Sequence, residues 1–120
     1  MAVPVVPVLL SASTNGNPIL VTATSTPGNT IHVTGTSLTV LDEVWLYAMN
    51  SDTTDRKLTL ETAAGGLISE VTIPAESGMQ LVLPGIRYNG TGSVATTIRA
   101  FCGTGSVMEI SGNVNRATIS

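Results

Sequence analysis

Two β-prone runs flank a polar turn in residues 44–62, which read VWLYAMNSDTTDRKLTLET. In the second run, Leu58 and Leu60 alternate with charged and hydroxyl side chains, which is the period of a strand that buries one face. The first run is rich in aromatic and branched residues, and the turn signal Asn50-Ser51-Asp52 follows it. This stretch therefore predicts two consecutive β-strands.

The same pattern of short β-branched runs continues on both sides of this stretch. Turn signals separate the runs at Pro27-Gly28-Asn29, Gly65-Gly66, Pro84-Gly85 and Asn89-Gly90, the last of which suits a type I′ hairpin. Evenly spaced short strands with such turns are typical of a β-sandwich or barrel. We therefore predict an all-β fold, a single β-sandwich of jelly-roll or immunoglobulin-like type, with about eight strands near residues 19–24, 30–34, 43–50, 56–62, 67–73, 79–83, 96–102 and 107–114.

Residues 38–49 leave an alternative open, because Leu41, Trp45 and Met49 also recur at helical spacing. The strongly β-prone run 44–47 favours a strand. As a strand, this segment is apolar on both faces. Two apolar faces indicate either a central strand or a strand whose outer face meets a partner.

Composition restricts the class of protein. The chain has 120 residues, of which 42% are hydrophobic and 11% charged, with a net charge of −3. These values fit one domain with a hydrophobic core and argue against intrinsic disorder. Because Lys and Arg are scarce, we expect no direct nucleic-acid binding. No apolar run approaches the roughly 20 residues of a membrane helix, so we expect no membrane contact.

Residues 1–17 differ from the rest of the chain, since an apolar, proline-punctuated run precedes a short polar stretch. The prolines exclude a helix and favour extended backbone. We predict an extended N-terminal arm at 1–17 and a β-sandwich domain at 18–120. The arm is either a disordered tail or an interface element, and the exposed apolar run favours docking against a neighbouring subunit or a capsid. The candidate interface residues are Val3, Pro4, Val5, Val6, Pro7, Val8, Leu9 and Leu10.

Residues that carry chemistry are few. One histidine, His32, and one cysteine, Cys102, are too few for a zinc site or an intramolecular disulfide. No nucleophile motif accompanies His32, so we expect it on the surface or in an interface. Asp52 and Asp55 lack the spacing of a calcium loop and are expected in a solvated turn. We therefore predict no catalytic residues, no metal site and no cofactor.

Several stretches are similar, in the spacing of their apolar runs and the placement of their turns, to small virion proteins of tailed bacteriophages. They are LDEVWLYAMN at 41–50 with RKLTLE at 56–61, VTIP at 71–74 with SGMQLVLPG at 77–85, and ISGNVNR at 110–116. The resemblance implies a β-sandwich subunit of the particle, most like a head decoration, or capsid cement, protein. Such a protein stabilises the head by binding the major capsid protein as an oligomer, often a homotrimer.

The resemblance also implies a location on the capsid exterior, after assembly in the host cytoplasm. The N-terminus lacks the positive charge that begins a secretory leader, which agrees with assembly in the cytoplasm. Two alternatives remain. One is a tail or fibre module that binds a receptor or carbohydrate through Trp45, Tyr47 and Tyr88, although core packing also accounts for these aromatic residues. The other is a small β-sandwich hydrolase.

Overall fold

Residues 5–119, the part of the chain that the computed structural model describes, form nine strands. All eight predicted strands are present, and those at 56–62 and 67–73 have the predicted bounds. None of these residues lies in a helix long and apolar enough to cross a membrane. The strands are β1 (Val5–Val8), β2 (Ile19–Val21), β3 (Asn29–Val33), β4 (Val40–Asn50), β5 (Arg56–Thr62), β6 (Leu67–Ile73), β7 (Gln80–Tyr88), β8 (Thr97–Cys102) and β9 (Met108–Thr118).

The strands build two antiparallel sheets. Sheet A has the order β1-β9-β4-β7, with β2 also paired to β9, and sheet B has the order β3-β8-β5-β6. From β2 to β9, every connection passes from one sheet to the other except the β5–β6 hairpin. This is the strand order of a jelly roll whose first strand is divided into β1 and β2. The expected β-sandwich is therefore confirmed, and the jelly-roll form applies.

The core lies between the two sheets and is built by strict alternation. In β4, Val44, Leu46 and Ala48 are fully buried, and Leu58 and Leu60 of β5 face them across the sandwich. Burying one such aliphatic side chain contributes roughly 1.5–3 kcal/mol. Cys102 is fully buried as well, as expected of a small hydrophobic side chain. Residues 40–50 form one continuous strand, so the helical alternative is wrong.

Two of the predicted turns have other roles. Pro84-Gly85 lies inside β7, where the pairing with β4 shifts and Gly85, at φ +70°, is the extra residue of a bulge. Asn89-Gly90 joins β7 of sheet A to β8 of sheet B, so it is not a hairpin turn. Glycine permits the positive φ that both a turn and a bulge require, and the sequence signal is therefore the same.

The N-terminal segment is extended, as predicted, but it forms a strand of the chain's own sheet. β1 pairs with the far end of β9, with Val5 opposite Ala117 and Val8 opposite Val114. No arm projects from the described residues, because β9 continues to Thr118, beyond the expected end at 114, and its edge accepts β1. The candidate interface residues Val3 and Pro4 lie outside the described residues.

Candidate interaction surface

The outer face of sheet A is apolar along its central strand. β4 alternates between buried and half-buried residues, and the half-buried ones point away from the core. An antiparallel sheet that faces water normally carries polar side chains on its outer face. β4 departs from this pattern, because its outward residues are Leu41, Glu43, Trp45, Tyr47 and Met49.

The edge strands β1 and β7 extend this apolar character, whereas β9, which lies between β1 and β4, presents polar residues from Glu109 to Asn115 on the same side. Val5 of β1 lies beside Ala117, and Leu81 of β7 lies beside Tyr47. Val5 is 60% exposed and Leu81 is 48% exposed. Exposed apolar residues that adjoin one another mark contact sites more often than isolated ones do. We call this surface the apolar face, and it comprises Val5, Leu20, Leu41, Trp45, Tyr47, Met49, Leu81 and Ile119.

Trp45 is held in place at the centre of the apolar face. Its indole packs against the backbone of Gly85, where an added Cβ would come within 2.6 Å of the ring atom Cζ2. The indole Nε1–H donates a hydrogen bond of 2.8 Å to Oε1 of Glu43. The bulge at Gly85 therefore creates the flat seat that the ring occupies.

Glu43 is the polar centre of the apolar face. Its Oε1 also accepts a hydrogen bond of 3.3 Å from Nδ2 of Asn115, and Nε of Arg87 lies 3.8 Å from its Oε2. The hydrogen bond from Trp45, followed by that from Asn115, holds the pKa of Glu43 below its ordinary value. A groove of about 410 Å³ adjoins this cluster, and its apolar side is formed by Val5, Leu41, Ala117 and Ile119.

Tyr88 lies apart from the other two predicted aromatic residues. It is the cross-strand neighbour of Asp42, which points into the sandwich, and it packs against the core. Burial raises the pKa of Tyr88. The structure therefore brings Trp45 and Tyr47 together on one face and places Tyr88 on the other side of sheet A.

Three residues attach the N-terminal segment, residues 5–12, to the sandwich beyond its pairing with β9. The N–H of Ala12 donates a hydrogen bond of 3.3 Å to the carbonyl of Ile31. Leu10 is inserted into the core and is 2% exposed. Ser11 binds β3 twice, because its N–H donates to Nδ1 of His32 at 3.1 Å and its Oγ accepts from the N–H of Val33 at 2.7 Å. The segment thus belongs to sheet A through β1 and is attached to sheet B through Ser11.

Asp42, His32 and Arg116 form an ionic network at this end of the sandwich, in which Asp42 and His32 are buried and the Arg116 side chain is 35% exposed. Nε2 of His32 lies 2.7 Å from Oδ2 of Asp42, and Arg116 donates from Nε and Nη2 to the two carboxylate oxygens at 2.7 and 2.9 Å. Burial by itself raises the pKa of Asp42. The hydrogen bonds from Arg116 and His32 outweigh it and hold the pKa of Asp42 below its ordinary value. The same contact raises the pKa of Arg116.

His32 is fully buried, so the expected surface or interface position is wrong. The pairing of β3 with β8 shifts between Thr30 and His32, and this irregularity turns both Ile31 and His32 into the core. Because Nδ1 accepts from Ser11, the ring proton is on Nε2 and is donated to Asp42. A serine nucleophile would need one ring nitrogen for its hydroxyl, whereas both nitrogens have other partners here.

The outer face of sheet B is polar, in contrast to that of sheet A. Lys57 and Glu70 form an ion pair of 2.8 Å in which both side chains are exposed. Glu61 accepts hydrogen bonds from the hydroxyl of Thr26 and the N–H of Gly28. We call this surface the polar face.

The two aspartates of the 51–55 loop have protein partners. Oδ2 of Asp52 accepts a hydrogen bond of 2.7 Å from Nε of Arg56, and Oδ1 of Asp55 accepts one of 2.9 Å from the N–H of Ala75. This loop connects the two sheets and is therefore not a hairpin turn. Within residues 5–119, no three His, Cys, Asp or Glu side chains come together in a group that could hold a metal ion.

Sequence reasoning missed the pair of Asp42 and Arg116. A signal for Asp42 was present, because it has the same strand parity as Val44 and Leu46 and must therefore point inward with them. Arg116 gave no such signal, since it follows the predicted end of the last strand at 114.

No family model, curated protein or solved structure matches the chain. Statements about function therefore rest on the two faces, the buried network and the N-terminal segment.

Proposed function

We propose that the chain is a bacteriophage virion protein, a capsid decoration subunit that stabilises the head by binding the major capsid protein as an oligomer. The apolar face is the observation that carries this proposal. A sandwich that meets water on both sides gains nothing from placing Trp45, Tyr47 and Leu81 on one outer surface. The cores of permanent protein interfaces favour aromatic residues. Trp45 and Tyr47 supply them on this face, where Glu43 and Arg87 add a charged pair beside them.

The N-terminal candidate residues are continuous with the apolar face, which supports a shared role in contact. β1 borders the face, and its Val5 and Pro7 lie beside Ala117 and Asn115 on the outer side of β9. A partner that covers Trp45 and Tyr47 would therefore meet β1 as well. Jelly rolls recur in viral shells, which adds support by analogy of fold alone.

The polar face supports an orientation for such a subunit. The exposed ion pair of Lys57 and Glu70 suits contact of sheet B with water, while sheet A suits contact with neighbouring subunits. The net charge of −3 also suits the outside of a shell better than the side that faces DNA.

Quantitative mass spectrometry of particles produced in cells that carry the gene tests the proposal. We expect a copy number comparable to that of the major capsid protein, and loss of the chain from heads when Trp45 and Tyr47 are both changed to Thr. Phe101 of β8 lies opposite Thr59, on the outer side of sheet B. A folded Phe101→Thr variant, altered on the polar face, is therefore the matched control and should still attach. Absence from purified particles would refute the decoration role.

A second candidate function is a tail or fibre module that binds carbohydrate. The seat of Trp45 favours it, because a fixed indole beside Glu43, Asn115 and a groove offers both a stacking surface and hydrogen-bonding groups. This alternative predicts a few copies per particle and binding to a glycan array that the Trp45→Ala change abolishes. The copy number and the array together separate the two functions.

A further inference from the structure

Two rows of outward side chains lie side by side on sheet A, one on β4 and one on β7. Each residue of one row lies opposite a residue of the other, and the three pairs are Glu43 with Arg87, Trp45 with Pro84, and Tyr47 with Leu81. The β4 row holds a negative charge and two aromatic rings, whereas the β7 row holds a positive charge and two aliphatic side chains. The two rows are therefore complementary to each other at every level.

Glu43 and Arg87 are incompletely paired within one chain. Nε of Arg87 lies 3.8 Å from Oε2 of Glu43, which is longer than the roughly 2.7–2.9 Å of a charge-assisted hydrogen bond. Within residues 5–119, Arg87 donates no hydrogen bond, and Glu43 accepts its two hydrogen bonds at Oε1 alone. The side chain of Arg87 is 69% exposed and that of Glu43 is 27% exposed. A partner that covers this face removes water from both groups and must supply a replacement for each.

A second copy of the chain supplies both replacements. A contact with twofold symmetry uses the same patch on both subunits, so that each pair of contacting residues occurs twice. When the twofold axis runs along the strands, between β4 and β7, β4 of each copy lies over β7 of the other. Each pair that is side by side within one chain then recurs across the interface at the same level. Aromatic rings cover aliphatic side chains, and each charge faces its opposite.

Other arrangements of two copies lose this match. A twofold axis across the strands sets β4 over β4, so that Glu43 meets either Glu43 of the second copy or an aromatic ring. The polar face offers no equivalent contact, because Lys57 and Glu70 already form a pair of 2.8 Å within the chain. Two sheets that pack face to face also keep their strands nearly aligned, which agrees with an axis along the strands.

We propose that the β4 and β7 rows bind a second copy of the chain about this twofold axis, with Glu43 of each copy paired to Arg87 of the other. The proposal rests on the proposed function, because it names the partner with which the decoration subunit forms its oligomer. The hydrogen bonds from Trp45 and Asn115 hold the carboxylate of Glu43 in place for this pair. A twofold contact gives a dimer, where the resemblance to decoration proteins implies a homotrimer.

Reciprocal charge reversal of the isolated protein tests the twofold pair. Glu43→Lys and Arg87→Glu each set like charges against one another across the axis, and we expect each to raise the dissociation constant of the dimer about tenfold or more. In an equimolar mixture of the two variants, each charge again faces its opposite. The mixed dimer should therefore recover to within about threefold of the unaltered protein.

Sedimentation equilibrium measures these dissociation constants. The concentrations extend to about 1 mM, because two strands of each copy bury less than the roughly 800 Å² per partner of a standard interface. Lys57→Glu and Glu70→Lys are the matched controls, since they reverse the same two charge types on the polar face. We expect neither control to change the dissociation constant.

Trp45 is the only tryptophan of the chain and gives a readout that needs no variant. Because the partner covers its ring, we expect acrylamide to quench its fluorescence about twofold less effectively in the dimer than in the monomer. If a charge variant does not fold, as judged by circular dichroism, this quenching result decides.

Four outcomes would overturn the proposal. They are a chain that stays monomeric, a chain that forms trimers without dimers, association that leaves the quenching of Trp45 unchanged, and a mixture of the charge variants that associates no better than either variant alone. All these measurements use the isolated chain, whereas the virion assignment is tested on particles. Failure of the twofold contact and failure of the proposed function are therefore distinguishable.

Discussion

Sheets A and B differ in which side chains they bury and which they carry on their outer faces. Sheet B buries Leu58 and Leu60 and carries the ion pair of Lys57 and Glu70 in water. Sheet A buries Asp42 against Arg116 and carries its aromatic residues, Trp45 and Tyr47, on the outside. Sheet B has the organisation of a sheet in a free soluble domain, and sheet A departs from it on both faces.

The difference shows that stability of the isolated domain does not account for sheet A. A buried ion pair gives little net stability, because desolvation offsets the attraction between its charges. Half-buried aromatic residues on an outer face gain the rest of their burial only when something covers them. Sheet A therefore contains the apolar face and the carboxylate whose pKa is depressed, and sheet B, apart from the buried His32 of β3, contains the ordinary reference.

Removing the carboxylate from the inner side of sheet A should have the largest effect. The Asp42→Ala change leaves the charge of Arg116 and the ring N–H of His32 without their partner, at a cost of about 3–5 kcal/mol. Urea denaturation followed by circular dichroism measures the free energy of unfolding. If the cost is additive with that of Arg116→Ala in the double variant, the two residues are not coupled and the comparison between the sheets fails on this point.

Acid should produce a smaller version of the same loss, because a protonated Asp42 keeps its carboxyl oxygens near Arg116 and His32, whereas alanine has none. The pKa of Asp42 is depressed in the folded protein, so its contribution is complete above the ordinary value of 3.8 and is lost as the pH falls through the lower folded value. We expect the free energy of unfolding to decrease below about pH 4. Glu43 and Asp52 also have depressed pKa values, so the Asp42→Asn variant is the reference and should show a weaker decrease.

Position 85, where the backbone of Gly85 packs against the Trp45 ring, should not tolerate a side chain. The Gly85→Ala change combines a positive φ with a contact of 2.6 Å to the indole, and we expect a loss of about 1–3 kcal/mol. Gly103 follows β8 of sheet B, has no atom within 4 Å of an added Cβ, and is the control. Gly103→Ala should change thermal stability by less than about 0.5 kcal/mol. Equal losses at the two positions would contradict the account of the bulge.

Self-association should depend on the apolar face alone. We expect Trp45→Thr to raise the dissociation constant of the oligomer at least tenfold, which corresponds to about 1.4 kcal/mol. Phe101→Thr, on the polar face, should leave it unchanged. Sedimentation equilibrium over a range of concentrations measures both constants. A monomeric unaltered protein, or equal effects of the two changes, would show that the apolar face does not mediate self-association.

The smallest effect should come from the ion pair on the polar face. Lys57 and Glu70 are well exposed, so water and salt screen their attraction. We expect Lys57→Ala to change the free energy of unfolding by less than about 0.5 kcal/mol. A loss comparable to that of Asp42→Ala would remove the distinction between buried and exposed charges on which the comparison depends.

Strand positions could be predicted from the sequence because one-sided burial leaves a period of two. Residues 56–62 and 96–102 have this pattern, and β5 and β8 lie there. The sequence has no such local pattern to show which strands pair with one another or in which sheet a strand lies. The Asn89-Gly90 turn therefore suggested a hairpin, although its flanking strands lie in different sheets, and β1 was not recognised as a strand because its partner lies at the other end of the chain.

The candidate surface could be predicted in part, for the same reason. The apolar outer side of 44–49 was visible in the alternation, and Trp45 and Tyr47 do lie there. The burial of His32 was not visible, because a bulge changes the face of every later residue on its strand and leaves no composition signal. Its partnership with Ser11 depends on the path of the chain between β1 and β2, which no local pattern determines.

The division of the first strand has a consequence for biosynthesis. β1 and β2 leave the ribosome early, whereas β9, with which both pair, is translated last among the nine strands. At common translation rates the interval is roughly 5–20 s. During it the β5–β6 hairpin and the β4–β7 pair can form, while the edge of β4 that later receives β9 remains open to other chains. Nascent chains stalled before residue 108 should therefore have only the β4–β7 pair of sheet A and should be the forms that depend most on chaperones.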